Sequence, residues 1–73
     1  MIRLPIISGK EAINAFEKAG WIQDRQKGSH VSMKKSGESA ILTVPLHKEI
    51  DRGTLRALLR AANLSVEEFN QLL

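Results

Sequence analysis

Two histidines, His30 and His47, are the side chains of this sequence best suited to moving protons near neutral pH, because an unperturbed imidazole titrates at about 6.5. His30 follows the turn Lys27, Gly28 and Ser29, where exposed amides and a cation could hold a phosphate. Set beside such a phosphate, a histidine could serve RNA cleavage without a metal. The substrate's own 2′-hydroxyl attacks phosphorus, and the protein supplies a base, an acid and positive charge. An incidental surface histidine explains the same residues, and the pattern alone leaves both readings open.

Other chemistries find less support. The chain has no cysteine, which excludes a disulfide framework, a thiolate zinc site and a cysteine nucleophile. Serines and threonines are present, but no G-x-S-x-G elbow accompanies them. Gly28 and Gly37 are isolated and read as hairpin turns, so a glycine-rich phosphate loop is missing and no nucleotide cofactor is expected. The spacing of His30 and His47 matches no zinc pattern, and neither has a carboxylate one helical turn away, so no metal is expected.

Charge favours a polyanion. The net charge is +3, and the excess is uneven: residues 1–37 hold seven Lys or Arg against three acids, whereas residues 38–73 hold four against five. Arg25, Lys27, Lys34 and Lys35 fall in one stretch with no acid among them, the electrostatics of a phosphate-binding surface or of a solvated hairpin. A second basic feature is the stripe Arg52, Arg56 and Arg60, at helical spacing on the side away from the leucines. It suits RNA phosphates, an acidic protein partner, or plain solvent.

The elements that must position these residues follow from caps and turns. Ser8 and Glu11 form a capping-box pattern, Ala12, Ile13, Phe16 and Ala19 recur at helical spacing, and Gly20 supplies a left-handed stop. This predicts a helix over residues 9–19. Strands are predicted over residues 21–27 and 30–35, joined by a two-residue type II′ turn with Gly28 in its first central position. A third strand is predicted over residues 40–44, ended by Pro45. Leu55, Leu58, Leu59 and Ala62 mark a second helix, capped by Asp51 or Thr54 and stopped at Asn63. Ser65 and Glu68 repeat the capping box, and Leu64 with Phe69 has staple spacing, so a short helix over residues 66–72 closes the chain.

The expectation is one domain over residues 1–73, α+β, with a three-stranded antiparallel sheet and helices on one face. Strand alternation puts Val31 and Met33 on the covered face and His30, Ser32 and Lys34 on the open one. Trp21, Phe16 and Phe69 read as core side chains rather than stacking platforms for bases. A chain of this length buries only about 60% of the surface its unfolded form exposes, so a deep internal cavity is not expected and a polymer across the surface is. No signal-peptide pattern and no apolar run of about 18 residues occurs, and a chain without cysteine suits the cytoplasm.

Taken together, several stretches resemble the HicA toxin family. They are Leu4-Pro5, Ser8-Gly9-Lys10-Glu11, Lys18-Ala19-Gly20-Trp21, Arg25-Gln26-Lys27-Gly28-Ser29-His30, Thr43-Val44-Pro45-Leu46-His47, Gly53-Thr54-Leu55-Arg56, and Ala61 to Phe69. The resemblance spans nearly the whole chain and rests most on the Lys-Gly-Ser-His turn followed by the Gly-Thr-Leu helix start. Trp21 stands where the family usually has Phe, and Asn63 where it usually has Gly. The resemblance implies a double-stranded-RNA-binding-like fold of α-β-β-β-α order and an endoribonuclease toxin that cleaves mRNA and blocks translation. It further implies a HicB-type antitoxin partner, and it places the catalytic histidine on His30. Lys27, Gly28, Ser29 and Lys34 are then expected to bind RNA. A non-catalytic RNA-binding module of the same fold and a protein-interaction domain using the arginine stripe are the alternatives.

Overall fold

The computed structural model describes residues 2–73. Helix α1 (Gly9–Lys18) is followed by strands β1 (Ile22–Lys27), β2 (His30–Lys34) and β3 (Leu42–Pro45), then by helices α2 (Arg52–Ala62) and α3 (Val66–Leu72). The strands form one antiparallel sheet in the order β1-β2-β3. The architecture is α+β, with helices packed on one face of a sheet whose other face is open.

The helix ends obey local chemistry. At the start of α1, the Glu11 amide donates to Ser8 Oγ at 3.1 Å and the Ser8 amide donates to Glu11 Oε1 at 2.9 Å. Ser65 and Glu68 make the same reciprocal pair at α3, so each satisfies two amides that the helix cannot. Of the two candidate caps for α2, Asp51 is the one used, accepting from the Thr54 amide at 3.0 Å. Helix α1 ends in a Schellman motif: the Gly20 amide donates to the Glu17 carbonyl and the Trp21 amide to the Phe16 carbonyl. Gly20 adopts φ +101° there. Asn63, at φ 58°, does the same for α2, and the Leu64 amide reaches the Leu59 carbonyl at 2.9 Å.

These stops turn the chain so that apolar faces converge. Phe16, Trp21, Met33, Leu42, Val44, Leu55 and Phe69 are fully buried in one core, and each such side chain contributes about 1.5–3 kcal/mol of transfer free energy. The Phe16 and Phe69 rings pack with centroids 5.1 Å apart, which ties α3 to α1. On β2 the burial alternates as expected, with Val31 and Met33 inside and His30 and Lys34 exposed.

Five boundaries differ from the sequence expectation, and two of them fall one residue early: α1 ends at Lys18 and β2 at Lys34. Trp21 belongs to the Schellman motif and is buried before β1 begins. Residues 40 and 41 precede β3, because pairing with β2 starts at Leu42 opposite Met33. Pro45 is the last residue of β3 rather than the residue after it, opposite His30; an edge strand tolerates its missing donor. Strand β1 is exposed along its whole length. Its register shifts between Gln23 and Arg25, and this bulge at Asp24, with Arg25 and Lys27, blunts an edge that could otherwise pair with another chain.

Candidate functional site

The turn at Gly28 and Ser29 has its positive φ only at Gly28, +60°, as a type II′ hairpin requires. Lys27 pairs with His30 across this turn, so cation and imidazole stand side by side on the open face. His30 pairs on its other side with Pro45 of β3. Beyond Pro45 the chain stays tied to the turn, since the Leu46 amide donates to the Ser29 carbonyl at 2.6 Å.

The segment after β3 is held from a second direction by the start of α1. The Gly9 amide donates to the His47 carbonyl at 2.9 Å, and the Ile50 amide donates to the Ile7 carbonyl at 2.9 Å. The approach is so close that a Cβ on Gly9 would overlap the Pro45 carbonyl oxygen and lie 2.9 Å from Leu46 Cα. Only glycine fits there. This clamp places His47 beside His30, with ring centroids 6.4 Å apart and ring planes at 68°.

Both histidines are exposed and open into one cleft of about 480 Å³, lined also by Thr43, Pro45, Glu49, Asp51 and Thr54. The charges around it are not uniform, with Lys27 beside His30 and the carboxylates of Glu49 and Asp51 in its lining, Asp51 near His47. Hydrogen bonds from the Thr54 side chain and backbone hold the Asp51 carboxyl below its ordinary value of 3.8, and the nearby His47 pushes the same way. Asp51 therefore presents a fixed negative charge to the cleft.

Of the residues singled out in the sequence, Lys27, Gly28, Ser29 and His30 come together at this end of the sheet. Lys34 does not. It shares the open face but sits four residues along β2 from His30, about 13 Å away, opposite Ile22. Its Nζ lies 3.5 Å from an Asp24 carboxylate oxygen, so part of its charge is answered within the protein. Arg52, Arg56 and Arg60 are exposed on α2, whose first turn borders the cleft through Thr54. Among the described residues, no group of three His, Cys, Asp or Glu side chains is placed to hold a metal ion, and no helix is long and apolar enough to cross a membrane.

Sequence reasoning missed the His30 and His47 pairing and the role of Gly9. A signal existed for the first: aligning the apolar pairs Val31 with Val44 and Met33 with Leu42 puts His30 opposite Pro45, two residues from His47.

Comparison with known proteins bears on this arrangement. A solved structure described as a toxin-antitoxin complex from Streptococcus pneumoniae matches with a TM-score of 0.69 and 37% sequence identity, covering 80% of this chain and 98% of that one. No curated protein sequence matches. Residues 9–64 match the family described as HicA toxin of bacterial toxin-antitoxin, and with that match over most of its length the chain belongs to the HicA toxin family.

Proposed function

We propose that this toxin is a metal-independent endoribonuclease that cuts mRNA and so blocks translation, with His30 as a catalytic residue at the end of the Gly28 and Ser29 turn. The observation that carries the reading is the placement of His30: an exposed imidazole on the open sheet face, next to Lys27 and lining a surface cleft of about 480 Å³. His30 exchanges a proton with the reacting 2′-hydroxyl or the leaving oxygen. Lys27 and the backbone amides of Gly28 and Ser29 meet the phosphate whose charge grows in the transition state. Lys34, farther along the same face, contacts a neighbouring phosphate of the RNA and does so against competition from Asp24.

An antitoxin partner of the HicB type fits the same surface. The family match and the solved toxin-antitoxin complex support it, and an open, basic sheet face offers an acidic protein a complementary surface that also masks His30.

Cleavage of a labelled RNA by the purified chain in EDTA tests the reading. The expected products end in a 2′,3′-cyclic phosphate, and a substrate with a single 2′-deoxy residue upstream of the scissile bond binds but is not cut there, since affinity comes mainly from phosphates. RNA that is bound but left intact under all conditions would favour the non-catalytic RNA-binding module of the same fold.

A further inference from the structure

His47 is held too firmly and too close to His30 to be read as a passive neighbour. Three backbone segments converge to place it: the Gly9 amide on its carbonyl, the Ser29 carbonyl on the Leu46 amide, and the pairing of Pro45 with His30. An exposed side chain gains nothing for the core from such fixation, whereas proton transfer depends on positions fixed to fractions of an ångström. The 6.4 Å between ring centroids puts both rings within reach of the oxygens of one phosphodiester lying over them, each through a hydrogen bond of about 2.8 Å.

The two rings have lysines near them, and they differ in their carboxylate neighbours. Glu49 and Asp51 line the cleft that the two rings share, and Asp51 lies near His47, so negative groups gather where a proton donor is needed. Lys27 stands across the strand pair from His30, where its charge meets the negative charge that grows on the phosphate as the 2′-oxygen attacks. On its outer side His47 also faces Lys10 of α1 and its neighbour Lys48, cations that reach the phosphates on either side of the cut.

We propose that His47 is the second catalytic residue of this site, the acid that protonates the departing 5′-oxygen while His30 accepts the proton of the attacking 2′-hydroxyl. The inference rests on the ribonuclease reading. The 2′-oxygen forms a bond to phosphorus as its proton passes to His30; the bond from phosphorus to the 5′-oxygen breaks, and that oxygen takes its proton from the His47 imidazolium. The products are a 2′,3′-cyclic phosphate and a 5′-hydroxyl. The enzyme is left with His30 protonated and His47 neutral, and exchange with water resets both.

The test compares wild type, His47→Ala, His47→Gln and His30→Ala on two RNA substrates, one natural and one with sulfur replacing the bridging 5′-oxygen at the scissile bond. A thiolate leaves without needing a proton, so the sulfur substrate bypasses the acid and not the base. On natural RNA both His47 variants should lose about 10²–10⁴ in rate and His30→Ala at least as much. On the sulfur substrate His47→Ala and His47→Gln should recover to near the wild-type rate, while His30→Ala stays slow. The wild-type pH profile should be bell-shaped, and the His47 variants should lose its alkaline limb alone, because an acid must hold its proton to act. Thermal unfolding of each variant, matched to wild type, removes misfolding as a cause. Full activity of the His47 variants on natural RNA would overturn the proposal and leave His30 catalysis intact, and rescue of His30→Ala in place of the His47 variants would overturn the assignment of roles. No cleavage by wild type would instead remove the ribonuclease reading beneath it.

Discussion

The open face of the sheet has two ends of different character. At the end near the Gly28 turn, His30, with Lys27 beside it, and His47 line a cleft whose walls are cross-tied by backbone hydrogen bonds to α1 and to the turn. At the other end, near Ser36 and Gly37, a wider depression of about 580 Å³ is lined by Ile22, Ile41, Lys34 and Asp24. Both ends carry a Gly-containing turn with lysine nearby, and by composition they are hard to tell apart. They differ in what the rest of the chain does to them. One is clamped from two directions and presents two titratable rings. At the other, exposed isoleucines surround a cation that already has its partner at 3.5 Å. A larger hollow is thus not the better candidate for chemistry, because catalysis needs fixed polar groups more than volume.

The largest effect expected from breaking that contrast is at His30. His30→Ala should lower RNA cleavage by about 10²–10⁴ and abolish growth arrest at matched expression, while thermal stability changes by no more than about 0.5 kcal/mol, as for an exposed position. Cleavage by this variant near the wild-type rate would move the chemistry away from the clamped end altogether.

Next comes the clamp itself. Gly9→Ala puts a methyl group into the Pro45 carbonyl, so either α1 or the segment bearing His47 must shift, at a cost of about 1–3 kcal/mol. Activity measured well below the melting temperature should fall further than stability explains, since either shift disturbs the Gly9 amide that holds the His47 carbonyl. Gly53→Ala is the control, because a Cβ there meets nothing within 4 Å. If Gly9→Ala folds and cleaves like wild type, the clamp does not position the site.

The contrast between the two ends also marks what the sequence could disclose. Ser8 with Glu11, Ser65 with Glu68, Gly20 and Asn63 announce helix ends within a few residues, so element order and fold class were legible, as was the exposure of His30 from strand alternation. The pairing of His30 with His47 was not, because it depends on the register of β3 and on a glycine in α1 distant in sequence. Nor was the neutralising partner of Lys34. A run from Arg25 to Lys35 without acids looks uniformly basic, yet the bulge between Gln23 and Arg25 leaves Asp24 beside Lys34 across the strand pair. A bulge of this kind has no local signature here, and the start of β3 was overextended because an apolar run continues through Ile41 whether or not it is paired.

Two lysines sharpen the comparison at smaller scale. In a His30→Ala background, where RNA is bound and not cut, Lys27→Ala should weaken binding and reduce the salt dependence of log K by about 0.7, the value for one phosphate contact on a single strand. Lys34→Ala should reduce it by less, since Asp24 already answers part of its charge. Equal slopes for the two variants would mean that RNA displaces Asp24 and that both ends contact phosphate alike.

The smallest effect is expected at the wide end, from Ile22→Ser combined with Ile41→Ser. These side chains are 68% and 55% exposed, so their removal forfeits little buried area, and each change should alter stability by no more than about 0.5 kcal/mol. They carry no proton and no charge, and in the ribonuclease reading neither stands near the reacting phosphate. Cleavage of a short RNA should therefore stay within about twofold of wild type, a barrier change of only about 0.4 kcal/mol. A short substrate matters, because a long one could drape over both ends and report binding rather than chemistry. A tenfold loss on the short RNA, with unfolding unchanged, would show that the isoleucine end shapes the reaction and that the division of the open face into a reactive and an inert end is wrong.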